Sequence, residues 1–250
     1  MELKIVIPSH KRADRVITTR YVAGCVICIP KSQESEYKEL NDCELITHPD
    51  SIKGLSAKRQ WIYEKFGDVF MIDDDSTGMY RLYIEPLVAG QEREKERVDA
   101  ETARELIKGV YEVSKEIGAY LYGFAPNKDQ RNYDTFAPLS LKGYLGGVAF
   151  GLNRGSKLKF DNDNATGSDY WISLLNAYYH RYCFRDMRFG FGQKNTFKSA
   201  GGLAEYRSMA VEKKNYIWLK KMFGSAIKRR KESIHGKASH KWQKAINLPF

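Results

Sequence analysis

The most constraining feature of this sequence is a regular alternation of short apolar runs with segments of helical character. Four apolar runs in the first part of the chain have the length of buried strands; they are residues 3–8, 25–30, 43–48 and 69–72. Helices are predicted between them at residues 15–22, 35–40 and 55–66, the last ending at Gly67. This βαβαβαβ order predicts a parallel sheet with helical crossovers.

The alternation continues along the rest of the chain. Further strands are predicted at residues 120–124, 144–152 and 183–189. Further helices are predicted at residues 169–180, at residues 207–223, and after Asp99, which is suited to cap a long helix closed by Gly118. We therefore predict an α/β fold. Residues 1–205 form one domain, and residues 206–250 form a basic helical extension packed on the same domain.

Composition limits the class of protein. Of the 250 residues, 42% are hydrophobic and 13% aromatic, which excludes a disordered or low-complexity chain. The longest uninterrupted apolar run, residues 22–29, is far shorter than the roughly 20 residues of a membrane span. The N-terminus is too short and too acidic for a signal peptide. We expect a cytoplasmic protein without a membrane partner.

Two of the four cysteines, Cys25 and Cys28, form a CxxC pair inside a predicted strand. Residues three apart in a strand point to opposite faces, whereas a zinc or redox pair needs both sulfurs on one side. We predict that both, like Cys43 and Cys183, are small buried hydrophobic residues.

Three aspartates, Asp73, Asp74 and Asp75, directly follow the fourth predicted strand. Ligands of open α/β sheets bind at the carboxyl ends of the strands. In an extended chain Asp73 and Asp75 lie on one side, and Asp74 points away. Carboxylates are hard ligands, so the pair is predicted to hold a divalent metal, Mn²⁺ or Mg²⁺, that bridges a diphosphate. The alternative is a solvated turn or a helix N-cap.

Polar residues also follow the first two predicted strands, at residues 9–12 (Ser-His-Lys-Arg) and at Ser32. The Gly-x-Gly-x-x-Gly motif of dinucleotide-binding folds does not follow the first strand, and the sequence has no P-loop motif. Acidic residues at one strand end and basic residues at another therefore take the place of a glycine-rich phosphate loop.

The basic charge is concentrated near the C-terminus. Residues 213–244 contain eleven lysines and arginines against one acid, Glu232, which makes the net charge of this segment equal to that of the whole chain, +10. Aromatic residues are interleaved with these cations, and Trp218 or Trp242 could stack on an exposed base. The segment is typical of a surface that binds a polyanion; the alternative is a solvated helical face.

Three motifs resemble the nucleotide-sugar half of GT-A glycosyltransferases: Lys4-Ile-Val-Ile-Pro-Ser-His-Lys-Arg12, Gly54-Leu-Ser-Ala-Lys-Arg59 and Val69-Phe-Met-Ile-Asp-Asp-Asp75. The resemblance implies a Rossmann-like, mostly parallel sheet flanked by helices. It also implies that Asp73 and Asp75 hold the divalent metal. The donor-binding residues that it implies are Pro8, Ser9, Lys11, Arg12, Arg15, Lys58, Arg59, Asp73 and Asp74.

The later half continues the resemblance. Residues 146–150 (Gly-Gly-Val-Ala-Phe) look like the acceptor strand of these enzymes, and residues 167–170 (Gly-Ser-Asp-Tyr) stand where the family often has Glu-Asp. Because Ser168 replaces the first acid, only Asp169 matches. The resemblance implies that Asp169 is the catalytic carboxylate facing the acceptor hydroxyl; the alternative is a plain N-cap. Candidates for a late third metal ligand are His180, His235 and His240.

A narrower resemblance, to the TET-associated glycosyltransferases, rests on residues 7–15 (Ile-Pro-Ser-His-Lys-Arg-Ala-Asp-Arg) and on the basic C-terminal segment. Those are phage-type enzymes thought to place sugars on 5-hydroxymethylpyrimidines, such as 5-hydroxymethylcytosine, in DNA. The resemblance implies a nucleotide-sugar donor, first of all a UDP-sugar, a DNA acceptor, and the host cytoplasm if the chain is phage-encoded. The DNA-binding residues would be Lys220, Lys221, Lys228, Arg229, Arg230 and Lys231.

Three other classes of function stay open. A GT-A enzyme could act on a glycan, lipid or protein and use its basic segment for docking. A nucleotidyltransferase or a metal-dependent nuclease also combines carboxylates with basic patches, although the first normally has a glycine-rich loop and the second needs further acids. A DNA-binding module on a decayed scaffold would not need intact Asp73 and Asp75. The sugar, the modified base, the stereochemistry and the oligomeric state are not determined by the sequence.

Overall fold

A computed structural model describes residues 2–83, 96–162, 166–193, 208–229 and 242–248. Its strands are β1 (Lys4–Pro8), β2 (Val26–Pro30), β3 (Leu45–His48), β4 (Val69–Ile72), β5 (Ser76–Arg81), β6 (Leu121–Ala125), β7 (Leu139–Ser140), β8 (Ala149–Leu152), β9 (Phe184–Gln193), β10 (Ile227–Arg229) and β11 (Lys244–Ile246). Its α-helices are α1 (Glu34–Leu40), α2 (Leu55–Phe66), α3 (Ala100–Glu116), α4 (Ser168–Tyr179) and α5 (Met209–Phe223).

Nine strands of the described ranges form one mixed sheet in the order β3-β2-β1-β4-β8-β6-β9-β5, with β7 paired to β9. Strands β1 to β4, β6 and β9 run in one direction, and β5, β7 and β8 run against them. The predicted α/β fold, with a mostly parallel sheet flanked by helices, is confirmed. Because β1, β4 and β9 run the same way, their carboxyl ends lie at the same edge of the sheet.

The sheet is buried on both faces, because consecutive residues of its strands enter two different hydrophobic clusters. In β1, Ile5 and Ile7 join a cluster with Ile107 of α3, and Val6 joins a cluster with Ile62 of α2 and residues of α4 and α5. Strands buried in this way on both faces read as continuous apolar runs, which is why the sequence located them.

The same alternation separates the two cysteines of the CxxC pair. Cys25 belongs to the first cluster and Cys28 to the second, so their thiols lie on opposite faces of the sheet. Burial raises the pKa of each to about 12, and both thiols are free. Their predicted role as packing residues agrees with this placement.

The helix predicted at residues 15–22 is wrong. Two short 3₁₀ turns, Ala13–Arg15 and Thr18–Arg20, take its place. The Thr18 hydroxyl donates to the Asp73 carbonyl at 2.6 Å and accepts from the Ser76 amide at 3.0 Å. Both partners lie more than fifty residues away in the sequence, so a tertiary contact sets the conformation of this segment and fixes the acidic turn after β4.

Glycines account for two further differences from the predicted strands. The strand predicted at residues 144–152 begins only at Ala149, because a Cβ at Gly146 would lie 2.4 Å from the Pro126 carbonyl and the chain there crosses another loop. By contrast, β9 runs past Phe189 to Gln193, since Gly190 allows the Asn127 carbonyl to approach the strand closely.

The C-terminal part packs on the body through helix α4. The Trp218 ring lies 4.6 Å from that of Trp171 in α4, and Ile227 of β10 enters the same cluster as Trp171. The extension is only partly helical, because β10 and β11 pair as an antiparallel ribbon. The domain boundary near residue 205 stays a prediction, since residues 194–207 lie outside the described ranges.

Among the helices of the described ranges, none combines the length and the apolar character that crossing a lipid bilayer requires.

Candidate active site

The acidic turn after β4 meets the loop after β1 at the carboxyl edge of the sheet. Asp74 is buried and accepts from the Ser9 hydroxyl at 2.6 Å and from an Arg12 Nη at 2.9 Å. The buried Tyr37 hydroxyl bonds to the Ser9 side chain at 2.7 Å and accepts from the Arg12 amide at 3.1 Å. Asp74 therefore fixes the loop of residues 9–12, and Pro8 ends the buried strand before it.

Asp73 and Asp75 flank Asp74 in this turn, and an Asp75 oxygen lies 3.9 Å from the Arg12 Nη that donates to Asp74. The Gln193 amide nitrogen at the end of β9 lies 3.3 Å from an Asp73 oxygen and donates to Asp75 at 2.9 Å. Burial raises the pKa of Asp73 to about 7; Arg59 opposes this shift, and the charges of Asp75, Asp74 and Asp169 add to it. Burial and the charge of Asp74 likewise raise the pKa of Asp75. Burial therefore disfavours the ionised form of both carboxylates, even though Arg59 lies 2.8 Å from Asp73 and Arg12 lies 3.9 Å from Asp75.

This pair fits a divalent cation by its donor chemistry. When two neighbouring carboxylates have raised pKa values, added positive charge stabilises their ionised form. Within the described ranges, no group of three or more His, Cys, Asp or Glu side chains forms a metal-binding cluster. Mg²⁺ is nevertheless commonly held by one or two carboxylates together with substrate phosphates and water. Asp73 and Asp75 match that pattern.

Arg59 of α2 is buried and bonds to three separate parts of the site. Only 2% of its surface is exposed, and its guanidinium donates to Asp73 Oδ1 at 2.8 Å and to the Gly147 carbonyl at 2.7 Å. It also donates to the Ser168 hydroxyl at 2.8 Å. Arg59 therefore joins the acidic turn to the first residue of α4, and its predicted direct contact with a nucleotide stays a prediction.

Lys58 is also inside the protein. Its ammonium donates to the Ser9 carbonyl, and burial lowers its pKa to about 8. Lys11 and Arg15, by contrast, have exposed side chains on the loop after β1. Lys11 holds a left-handed backbone conformation (φ 53°), and an Arg15 Nη lies 3.4 Å from the Lys11 carbonyl. Of the basic residues predicted to bind the donor, Lys11, Arg12 and Arg15 are therefore those nearest to solvent.

Asp169 lies in the first turn of α4, beside the acidic turn. Gly167, with φ 84°, is the N-cap of this helix, so Asp169 is not a plain capping residue. Its carboxylate accepts from the hydroxyl of Tyr144, whose ring stacks on Tyr170 at 4.9 Å. A Cβ on Gly147 would lie 3.1 Å from the Asp169 carboxylate, so the glycine leaves room for this side chain.

His180 is not placed to be a third metal ligand. Its ring packs against Tyr120 at 4.3 Å, just before the amino end of β6, and its Nε2 accepts from the Lys157 amide at 3.2 Å. Since β6 runs in the direction of β4, His180 lies at the edge of the sheet opposite Asp73. His235 and His240 lie outside the described ranges.

The predicted DNA-binding residues Lys220, Lys221, Lys228 and Arg229 are exposed on α5 and β10, while Arg230 and Lys231 lie outside the described ranges. Lys244, which the sequence counted among the basic surface, is instead buried and pairs with Glu212 at 2.8 Å. The basic surface is therefore smaller than the sequence suggested, but its cations remain on one extension.

Sequence reasoning missed three side chains at this edge: Tyr37, Tyr144 and Gln193. Gln193 ends an apolar strand in the same way as the aspartates do, so the rule that selected the aspartates could have found it. Tyr37 and Tyr144 carry no such signal, because a tyrosine in a helix or a loop is most often a packing residue.

Together these features define an α/β protein with a cluster of carboxylates and arginines at the edge of the sheet where such folds bind ligands. Residues 3–202 match the sequence model of the TET-associated glycosyltransferases. The chain therefore belongs to the TET-associated glycosyltransferase family, and the prediction of a glycosyltransferase is confirmed.

The crystal structure of S. aureus TarS 1-349 is similar to this chain with a TM-score of 0.46 and 9% sequence identity. The match covers 88% of this chain and 66% of the TarS chain, so this chain spans just under two thirds of TarS 1-349. A comparison with curated proteins gave no match.

Proposed function

We propose that this protein transfers a sugar from a nucleotide-sugar donor to a hydroxymethylated pyrimidine in DNA, with a divalent metal at Asp73 and Asp75. The observation that carries the proposal is the meeting of this carboxylate pair with Arg12 and Asp169 at one edge of the sheet in a member of this family.

The donor occupies the side of β1 and β4. A nucleoside diphosphate carries its charge on the phosphates, and Arg12, held by Asp74, presents a guanidinium suited to bidentate phosphate contact. Lys11 and Arg15 add exposed cations on the same loop. A divalent metal held by Asp73 and Asp75 would neutralise the charge of the leaving diphosphate.

The acceptor occupies the side of α4. Asp169 takes the proton of the acceptor hydroxyl, whose oxygen forms a bond to the anomeric carbon of the sugar. The bond between the sugar and the phosphate breaks, and the nucleoside diphosphate leaves with the bonding electrons. Arg59 holds the two halves of this arrangement in register, since it contacts both Asp73 and Ser168, the neighbour of Asp169.

A DNA acceptor is supported by the charge of the C-terminal extension. Four exposed cations, Lys220, Lys221, Lys228 and Arg229, lie on elements that pack against α4. Phosphate contacts of this kind give affinity and position without sequence preference.

The test is a transfer assay. The protein is incubated with a panel of nucleotide sugars, Mn²⁺ and DNA that contains hydroxymethylcytosine or hydroxymethyluracil, and the nucleosides are then digested and weighed by mass spectrometry. We expect a glycosylated nucleoside from hydroxymethylated DNA and none from unmodified DNA. Transfer to a glycan, lipid or protein acceptor but not to DNA would assign the alternative acceptor class.

The metal assignment needs a second measurement. Asp75→Asn is expected to lower turnover by about 100-fold or more, because the metal stabilises leaving-group charge by several kcal/mol. Calorimetry with free UDP should also lose the gain in affinity that Mn²⁺ gives to the unaltered protein. Full activity of the unaltered protein in excess chelator would exclude a metal at this site.

A further inference from the structure

A second cluster of aromatic and basic side chains lies on the C-terminal extension, next to α4 but outside the proposed active site. The Trp242 ring is half-buried, and the Tyr216 ring of α5 lies 5.7 Å from it. The Lys213 ammonium lies 5.5 Å, and the Arg229 guanidinium 5.8 Å, from the centre of the Trp242 ring. Both cations are exposed.

The two tryptophans of the extension have different surroundings. Trp218 packs against Trp171, and its rings are part of the contact that joins α5 to α4. Trp242 instead lies two residues before β11, where its described ring contacts are with Tyr216 and the two cations. Both tryptophans are half-buried, but Trp218 packs on the body, whereas Trp242 lies between a tyrosine and two exposed cations.

The ribbon strand that follows Trp242 is fixed to α4 and α5. Lys244, two residues further along, is buried and pairs with Glu212 of α5 at 2.8 Å. Its ammonium lies 5.6 Å from the Tyr170 ring centre, and the Tyr170 hydroxyl donates to its carbonyl at 3.1 Å. Tyr170 is the residue after Asp169, so the position of Trp242 is coupled to that of the proposed catalytic carboxylate.

We propose that Trp242, Lys213 and Arg229 form a subsite for one unstacked nucleotide of the acceptor strand. The base stacks on the indole ring, and the flanking phosphates bind the two cations. Stacking on an aromatic ring combined with cationic contacts to the backbone is the general mode of binding to single-stranded nucleic acid. The proposal rests on the proposed DNA acceptor and adds that the strand is opened beside the nucleotide that is modified.

The charge and the ring together favour a nucleotide over an acidic peptide. A peptide carboxylate would use Lys213 and Arg229 but would gain little from an indole face. A nucleotide uses both, because every base has a π-face and every phosphate carries negative charge. A base that stacks on the Trp242 ring would take the place of the Lys213 ammonium and the Arg229 guanidinium there. The two cations would then bind the phosphates on either side of that base.

The test is binding of a short fluorescein-labelled oligonucleotide, single-stranded or duplex, without hydroxymethyl groups and without nucleotide sugar. We expect Trp242→Leu to weaken single-strand binding by about 10-fold, and Trp242→Tyr to restore most of it. Duplex binding should change less. Tyr178→Leu, which removes an exposed aromatic residue from the far end of α4, is the matched control and should bind like the unaltered protein.

The salt dependence separates lost stacking from a damaged extension. Trp242→Leu should keep the slope of log affinity against log salt, because its cations remain, whereas Lys213→Ser with Arg229→Ser should flatten it by about one to two units. Unaltered single-strand affinity in Trp242→Leu would overturn the subsite. Two other results would also overturn it. One is an equal loss of single-strand affinity in Trp242→Leu and Trp242→Tyr. The other is that Trp242→Leu weakens binding to poly-glutamate, an acidic peptide, as much as binding to the oligonucleotide.

These outcomes are distinguishable from those of the transfer assay. The binding test uses neither donor nor modified base, so a protein that fails to glycosylate DNA can still show the Trp242 subsite. Conversely, a protein that glycosylates hydroxymethylated DNA but binds it independently of Trp242 keeps the proposed function and loses the subsite.

Discussion

At the scale of single residues, the site depends on buried polar groups that act on one another. Arg59 shows this most clearly, because the resemblance to GT-A glycosyltransferases implies that it binds the donor directly. In the structure its two Nη atoms donate to Asp73, Gly147 and Ser168, while its Nε is buried and has no hydrogen-bond partner among the residues that the structure describes. Its expected contribution to donor binding is therefore to hold Asp73 in place, and a lysine could not make the same three contacts.

Tyr144 is expected to position Asp169. Burial, together with the charge of Asp169, raises the pKa of the Tyr144 hydroxyl well above its ordinary value, so it stays a hydrogen-bond donor to the carboxylate. Tyr144→Phe removes this donor and keeps the ring stacked on Tyr170. We expect turnover to fall by about 10-fold or more, with the affinity for the nucleotide sugar unchanged.

The split between turnover, donor affinity and stability of the Tyr144→Phe variant is the discriminating readout. The rate at saturating donor and acceptor should fall, while the Kd for the nucleotide sugar, measured by calorimetry, and the urea midpoint stay unchanged. A variant whose urea midpoint falls while its turnover stays the same would show that the tyrosine only supports the fold.

Lys58 is expected to make stability depend on pH in an unusual direction. Its pKa falls from 10.5 to about 8 on folding, chiefly through burial, so the unfolded chain binds more protons between these two values. The free energy of unfolding therefore gains from this group as the pH rises from about 8 to 10.5. The gain is on the order of 3 kcal/mol.

Urea unfolding at several pH values, with Lys58→Met as the variant, tests this prediction. The advantage of the unaltered protein over the variant should grow as the pH rises through that interval. Lys65→Met, an exposed lysine of the same helix, is the control and should leave the pH dependence as it is. Parallel curves for the unaltered protein and Lys58→Met would contradict the prediction.

At the scale of elements, the sequence predicted the strands that are buried on two faces and the helices that are clearly capped. Helix α2 lies where the sequence placed it, and Asp99 caps α3 by accepting from the Thr102 amide at 2.8 Å. The missed elements are held by tertiary contacts. Strand β5 follows the acidic turn directly, and its partner is β9, more than a hundred residues away.

The residues of the candidate site also fall into a group that could be predicted from the sequence and a group that could not. The carboxylic acids of the site could be predicted because they directly follow an apolar strand, as Asp73 and Asp75 do. Their partners could not, because Tyr37, Gln193 and Tyr144 come from elements brought near by the topology of the sheet. Whether a basic residue faces solvent or the interior also depends on those elements, so Arg59 and Arg12 look alike in the sequence and differ in the structure.

At the scale of the whole molecule, charge is expected to govern the encounter with DNA. Exposed cations of the extension lie apart from the cations around the acidic turn, which are engaged with carboxylates. Changing Lys220, Lys221, Lys228 and Arg229 to Ser should flatten the salt dependence of DNA binding by up to about four units.

Nucleotide-sugar affinity measured by calorimetry should stay unchanged in this variant, and the apparent KM for DNA should rise. The matched control changes Lys38, Lys108, Lys115 and Lys157, which are exposed or half-buried lysines of the body, and should leave the slope nearly as it is. A slope that falls equally in both variants would indicate attraction by net charge alone.

Arg59 contacts both the acidic turn and helix α4. It therefore lies between the part of the molecule that would bind the donor and the part that would bind the acceptor. Residues that would recognise the donor lie before it or close to the turn, whereas α4, α5 and the C-terminal ribbon would meet the acceptor. A chimera that keeps residues 1 to about 160 together with β9 and its Gln193, and takes α4, α5 and the C-terminal ribbon from a relative, should therefore keep its sugar preference. New acceptors could evolve by replacing these acceptor elements, provided that the serine facing Arg59 is retained.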